Sequence, residues 1–216
     1  MISDISHQLK TPLASMKMFG ELLAEPDLTE GERKEYCDIL NQSLDKLTFL
    51  TESMIRISRL ESGIIQLKPL KTDLNELLLE AIKQIYFKAV YKKVSIIFDP
   101  QEEVWINLDV NWTREAIINI LDNGIKYSRP DGTLTIKVTE YDIYTRIDIT
   151  DNGLGIEEKE QSKIFQRFYR GRGSEDKEGV GIGLYLARKV ITQQNGYIKV
   201  SSDGRTGSTF SLFLPR

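Results

Sequence analysis

Among its 216 residues the chain has one cysteine, Cys37, and one histidine, His7. A lone cysteine cannot close an internal disulfide, which fits a reducing, aqueous compartment. No stretch approaches the roughly 18 consecutive apolar residues that a membrane-spanning helix needs. Met1 is not followed by a basic and then an apolar leader, so no secretory signal is expected. Lys and Arg do not cluster, and the net charge is −3 with a pI near 5.4, which argues against a nucleic-acid surface and its counterion release. Internal repeats and low-complexity tracts are lacking too. What is present, 40% apolar and 28% charged residues, is ordinary for a globular chain of one or two domains with a real core.

Apolar residues recur at Ile2, Ile5, Leu9, Leu13, Met16, Phe19 and Leu23, the spacing of one helix face, and predict a helix to about Ala24. Glu25-Pro26-Asp27-Leu28 breaks the pattern. Thr29 followed by Glu32 has the form of a capping box opening a second helix, whose stripe of Leu40, Leu44, Leu47, Leu50, Met54, Ile57 and Leu60 has a heptad rhythm. Two helices cannot bury two such stripes, so pairing of two hairpins into a homodimeric four-helix bundle is expected. Folding about residue 27 places residue k opposite residue 54 − k. The second arm runs to about Glu61, roughly two turns further than its partner at about 3.6 residues per turn, so the first helix is expected to continue before residue 1.

Gly63 ends this region, and after Lys68-Pro69 the pattern changes, giving two domains, 1–64 and 65–216. In the second, helices are predicted over 73–91, 112–127 and 183–193, and strands over 94–98, 104–108, 134–140, 144–150, 196–200 and 209–214. Strict βαβ alternation is lacking. The fold class is therefore α+β, a helical hairpin followed by a sandwich with helices covering one face of a mixed sheet.

Several clusters carry chemistry. In Ser6-His7-Gln8-Leu9-Lys10-Thr11-Pro12-Leu13, His7 sits about 200° around the helix from Ile5 and Leu9 and is expected to face solvent, with Thr11 one turn on. Pro12 removes the hydrogen bond to the Gln8 carbonyl beside it. In Asn119-Ile120-Leu121-Asp122-Asn123-Gly124-Ile125-Lys126-Tyr127, two asparagines share a helix face at i and i+4, with Lys126 one turn further. Amide oxygens suit a hydrated Mg²⁺ bridging phosphates, and an ammonium suits the phosphates themselves. Asp151-Asn152-Gly153-Leu154-Gly155 and Gly179-Val180-Gly181-Ile182-Gly183-Leu184 are glycine loops that let a backbone approach phosphates, the second immediately before a helix. Between them Phe165-Gln166-Arg167-Phe168-Tyr169-Arg170 precedes the polar stretch 171–178, which suits a mobile lid. Singly, each cluster has a plain alternative: a surface histidine beside a kink, capping asparagines, an Asp-Asn-Gly turn.

In this order the motifs H-x-x-K-T-P, N-x-x-x-N, D-x-G-x-G, F-x-x-F and G-x-G-x-G resemble the H, N, G1, F and G2 boxes of bacterial two-component sensor histidine kinases. Gly204 with Gly207-Ser208-Thr209-Phe210 resembles that family's last glycine motif. The resemblance spans nearly the whole chain. It implies a dimerisation and histidine-phosphotransfer hairpin, followed by an ATP-binding domain of the gyrase, chaperone and mismatch-repair type.

Carried over position by position, the resemblance makes His7 the phospho-accepting nucleophile, Asn123 the Mg²⁺ ligand and Asn119 its neighbour. Lys126 would touch the phosphates and Tyr127 the nucleotide. Asp151 would accept the adenine amino group, selecting ATP over GTP. Gly153, Gly155, Gly179, Gly181, Gly183, Leu184 and Thr209 would line the nucleotide, Arg170 would meet the γ-phosphate, and Thr11 resembles the residue that orients water during dephosphorylation of a partner. Gln8 departs from the family's more frequent Glu or Asp after the histidine. The implied partners are a second copy and a response regulator whose aspartate takes the phosphoryl group, and the implied location is cytoplasmic, as part of a membrane-anchored sensor. A phosphatase of the regulator, or an inactive nucleotide-binding scaffold, would use the same residues.

Overall fold

The computed structural model describes residues 2–64, 66–100, 102–171 and 179–216, with the side chains of 2–5 and 7 excepted. It divides into two units, Met1–Gln66 and Leu67–Arg216.

The first unit is a helical hairpin of α1 (Ile2–Leu22) and α2 (Glu30–Glu61). The capping box forms as its sequence requires: the Glu32 N–H donates to Thr29 Oγ1 at 3.3 Å, and the Thr29 N–H to Glu32 Oε2 at 2.9 Å. Pro12 is buried inside α1. Ser43 Oγ lies 3.3 Å from Ser15 Oγ, and the Phe19 and Tyr36 rings lie 5.4 Å apart. These touching pairs sum to 58 and 55 rather than 54. Helical side chains lean about one position toward their own N-terminus, so antiparallel partners meet about two residues later than the backbone register implies. Within the heptad stripe Leu50, Ile57 and Leu60 are buried, whereas Leu44 is exposed, as are Leu13, Met18, Phe49 and Ile55 elsewhere on the hairpin.

The second unit carries a five-stranded sheet in the order β2-β4-β5-β7-β6, from β2 (Ser95–Phe98), β4 (Thr133–Glu140), β5 (Tyr144–Asp151), β6 (Tyr197–Ser202) and β7 (Ser208–Pro215). β2 runs parallel to β4 and the other pairs are antiparallel, so the sheet is mixed. Helices α3 (Leu74–Tyr91), α4 (Val110–Tyr127) and α6 (Gly183–Gln193) cover one face, with α4 in the middle. Ile147 and Ile149 alternate along β5 with the less buried Arg146 and Asp148, and pack with Ile117, Ile120, Leu121, Leu134, Leu186, Val190 and Leu212 into the core.

Two elements were not legible in the sequence. Strand β1 (Leu70–Asp73) pairs antiparallel with β3 (Trp105–Leu108) as a separate two-stranded sheet, and α5 (Glu158–Gln161) is a single turn. Helix α4 also begins two residues earlier than its apolar pattern suggests. Asp109 caps it: one carboxylate oxygen accepts the Trp112 N–H at 3.0 Å, the other the Lys68 N–H at 2.8 Å.

Candidate nucleotide site

Helix α4 presents Asn119 and Asn123 on one face, both half-buried. The Asn119 Nδ2 donates to the Glu115 carbonyl at 2.9 Å, which turns its Oδ1 toward the start of α6. A Cβ on Gly183 would stand 2.7 Å from that oxygen. The Asn123 amide makes no side-chain hydrogen bond among the described residues. Their neighbour Asp122 faces the other way and pairs with Lys88 on α3 at 2.6 Å. At the end of the helix the Lys126 ammonium lies 5.0 Å from the Tyr127 ring centroid, and a Cβ on Gly179 would stand 3.0 Å from it. The amides and the ammonium thus line the glycine loop that opens α6.

Asp151 ends β5 and is buried. Its Oδ1 accepts the Gly153 N–H at 2.8 Å. Burial pushes its carboxyl above the usual aspartate range, while backbone N–H groups of Gly153 and Ser208 pull the other way. Side chains cannot replace the surrounding glycines. A Cβ on Gly153 would strike the Tyr127 carbonyl, and one on Gly207 would strike the carbonyl of Asp151 itself. Gly155, at φ +74°, passes so close to the 203–207 turn that a Cβ would stand 2.5 Å from the Arg205 nitrogen. Ser202 Oγ closes the junction, accepting the Ile156 N–H at 2.8 Å and donating to the Gly207 carbonyl at 2.6 Å.

The aromatic box joins the same loops. Phe165 is buried edge-on to Phe210, with ring centroids 6.3 Å apart, and the Phe168 N–H donates to the Gly181 carbonyl at 2.8 Å. Arg167 donates to the Tyr185 hydroxyl at 2.8 Å and so is held against α6. Arg170 and Leu184 are half-buried. Ile182, the residue before α6, is apolar and makes no side-chain cap, and the first turn of α6 follows directly on the amide-lined loop.

One sequence expectation is corrected. Asp151 stands directly opposite Ser208, and Thr150 opposite Thr209. Facing residues share a side of the sheet and successive ones alternate, so Thr209 lies on the side away from Asp151. Its hydroxyl instead meets that of Thr150 at 2.9 Å. Ser208, buried beside the aspartate, takes the place expected for Thr209. Strand alternation outward from Asp151 was the signal for it. The second unit therefore brings together Asn119, Lys126, Tyr127, Asp151, Gly153, Gly155, Gly179, Gly181 and Gly183, with Asn123 on the Asn119 face. His7, Gln8 and Thr11 belong to α1 in the other unit; Gln8 is half-buried and Thr11 exposed. The imidazole of His7, expected to face solvent, lies outside the described residues, as does the 172–178 stretch of the expected lid.

A buried carboxylate that accepts hydrogen bonds, glycine loops without room for Cβ atoms, an ammonium and a helix start next to the glycine loop suit a purine nucleotide with its phosphates. The amide oxygens of Asn119 and Asn123 suit a Mg²⁺ held mainly by phosphates and water.

Residues 108–216 match the family model described as histidine kinase-, DNA gyrase B- and HSP90-like ATPase, and residues 1–63 match the His Kinase A (phospho-acceptor) domain. The chain is 31% identical over 228 residues to drug sensory protein A of Synechocystis sp., covering 97% of this chain and 34% of that protein. It thus spans about a third of that relative's length. Among solved structures, histidine kinase ThkA in complex with response regulator protein TrrA superposes with a TM-score of 0.81 at 21% identity, covering 100% of this chain and 60% of that one. Full-length ShkA in complex with AMPPNP gives 0.72 at 21% identity, covering 99% of this chain and 45% of that one. At these identities the likeness is one of fold. No described helix is long and apolar enough to cross a membrane.

Proposed function

The chain belongs to the histidine kinases, joining their phospho-acceptor domain to their ATPase domain, and from that membership we propose that it phosphorylates its own His7 with ATP. The observation that carries the reading is the buried Asp151 carboxylate, fixed by the Gly153 N–H at 2.8 Å at the mouth of glycine loops that admit no side chain. An adenine amino group supplies the donor that this carboxylate lacks; guanine would set a carbonyl against it. The N–H groups of Gly153 and Ser208 hold the carboxylate in place, and Tyr127 lies beside the base.

Lys126 and the first turn of α6 balance the phosphate charge, and Arg170 meets the γ-phosphate. Asn123, with Asn119 beside it, would hold Mg²⁺, which when bound neutralises charge on the phosphate oxygens. Positioning and charge neutralisation supply most of the rate in such transfers. One imidazole nitrogen of His7 attacks the γ-phosphorus in line, the bond to the β–γ bridging oxygen breaks, and ADP leaves. The proton on the other ring nitrogen is oriented by the Gln8 amide oxygen before passing to water. In a second step an aspartate of a response regulator attacks the phosphohistidine, the P–N bond breaks, and the imidazole is regenerated. The exposed Leu13, Leu44 and Phe49 are covered by a second copy of the hairpin.

Calorimetry with ATP and GTP tests the site. Binding of ATP with little or no binding of GTP is expected, and equal affinity for both would remove Asp151 from base recognition.

A further inference from the structure

Helix α3 is apolar on two sides. Leu74, Leu77, Leu78, Ala81, Ile85 and Ala89 face the core. On the opposite side Leu79, Lys83, Tyr86 and Val90 follow one another at helical spacing, flanked by Phe87 and Tyr91. Phe87 is 83% exposed and Tyr91 93%, unusual for rings at the end of a packed helix. Tyr86 and Phe87 stand edge to face with centroids 6.2 Å apart and form one continuous outward aromatic surface.

Along the second half of α3 and into β2 the chain's own charges have one sign. From Ala81 to Phe98 the chain carries four lysines and no acidic residue, although its net charge is −3. Lys83 and Lys93 are exposed, Lys88 is paired with Asp122, and Lys92 donates to the Ile125 carbonyl at 2.6 Å and to that of Lys126. Of the acids nearer the start of the helix, Glu80 is paired with Arg114 and Glu76 lies in the first turn, away from the aromatic end.

We propose that this face of α3 docks on an anionic bilayer surface. Exposed Phe and Tyr rings enter the headgroup boundary while lysines, their stems lying along the apolar surface, meet lipid phosphates. The patch is a few side chains wide, so binding is weak, reversible and salt-sensitive. Charge complementarity favours this occupant over a second copy, which would set lysines against lysines.

The test is co-sedimentation of the whole chain with vesicles of phosphatidylcholine and phosphatidylglycerol in equal parts, against vesicles of phosphatidylcholine alone. Binding to the anionic vesicles that is lost on adding salt is expected. The double variants Phe87→Ser/Tyr91→Ser and Lys83→Glu/Lys93→Glu are each expected to weaken it roughly five-fold or more, the effect of about one lysine near such a surface, with ATP affinity unchanged. No binding to anionic vesicles, or binding that survives both double variants, would overturn the proposal. So would self-association in sedimentation velocity that Phe87→Ser/Tyr91→Ser abolishes, since the face would then belong to a second copy.

Discussion

The Phe168 N–H donates to the Gly181 carbonyl at 2.8 Å, so the aromatic box and the loop that opens α6 are joined backbone to backbone. Both residues hold left-handed conformations, φ +62° and +75°. A Cβ at position 181 would stand 2.5 Å from the Tyr169 carbonyl. Gly181→Ala is therefore expected to distort the phosphate loop and weaken ATP binding by about 1–3 kcal/mol, the usual cost of strained backbone at a binding site. Calorimetry measures it, and unchanged affinity would uncouple this contact from the nucleotide.

Asp151→Asn separates binding from stability. Losing the acceptor for the adenine amino group should reduce ATP affinity by on the order of 1–3 kcal/mol. Burial raises the carboxyl's folded pKa, so its contribution to stability is present below the unfolded value and is lost as pH rises through the folded one. At neutral pH the buried acid is thus a cost. The nucleotide-free variant should melt higher than the parent at neutral pH and lose that advantage as the pH falls toward 3.8. A lower melting temperature at neutral pH would contradict this.

A glutamine at position 8 can accept a hydrogen bond but carries no charge and takes no proton. Gln8→Glu is expected to raise the single-turnover rate of His7 phosphorylation at saturating ATP without altering ATP affinity. Full general-base assistance is worth about 10²–10⁴-fold, and water recovers part of it in the parent, so a smaller gain is expected. Rapid quench shows it; an unchanged or lower rate in a folded, dimeric variant would mean that Gln8 suffices.

Leu44 is 44% exposed in a single hairpin although it belongs to the heptad stripe. Leu44→Glu should set an unpaired carboxylate inside the four-helix seam and raise the dimer dissociation constant by orders of magnitude. Sedimentation equilibrium reports the change, and an unaltered constant would place the dimer contact elsewhere.

The hairpin was legible because its information is local: helical spacing from Ile2 and the Thr29–Glu32 capping box require no distant partner. Asn119, Lys126 and Asp151 were legible as a set because each stands in a short motif. β1 was not, because Leu70–Asp73 has only four residues and gains its definition from pairing with β3 some 35 positions away, Leu70 against Leu108. Ser208 was missed for a related reason. Which of two adjacent residues stands beside Asp151 on its side of the sheet depends on strand register, and register is fixed by the partner strand rather than by the motif.

The central claim is that His7 accepts the phosphoryl group, and it is sharp because the chain has one histidine. Incubation with γ-labelled ATP and Mg²⁺, followed by acid and base treatment, tests it directly. The parent chain should acquire acid-labile, base-stable phosphate, and His7→Ala should acquire none while binding ATP as the parent does. Label retained by His7→Ala would contradict the assignment.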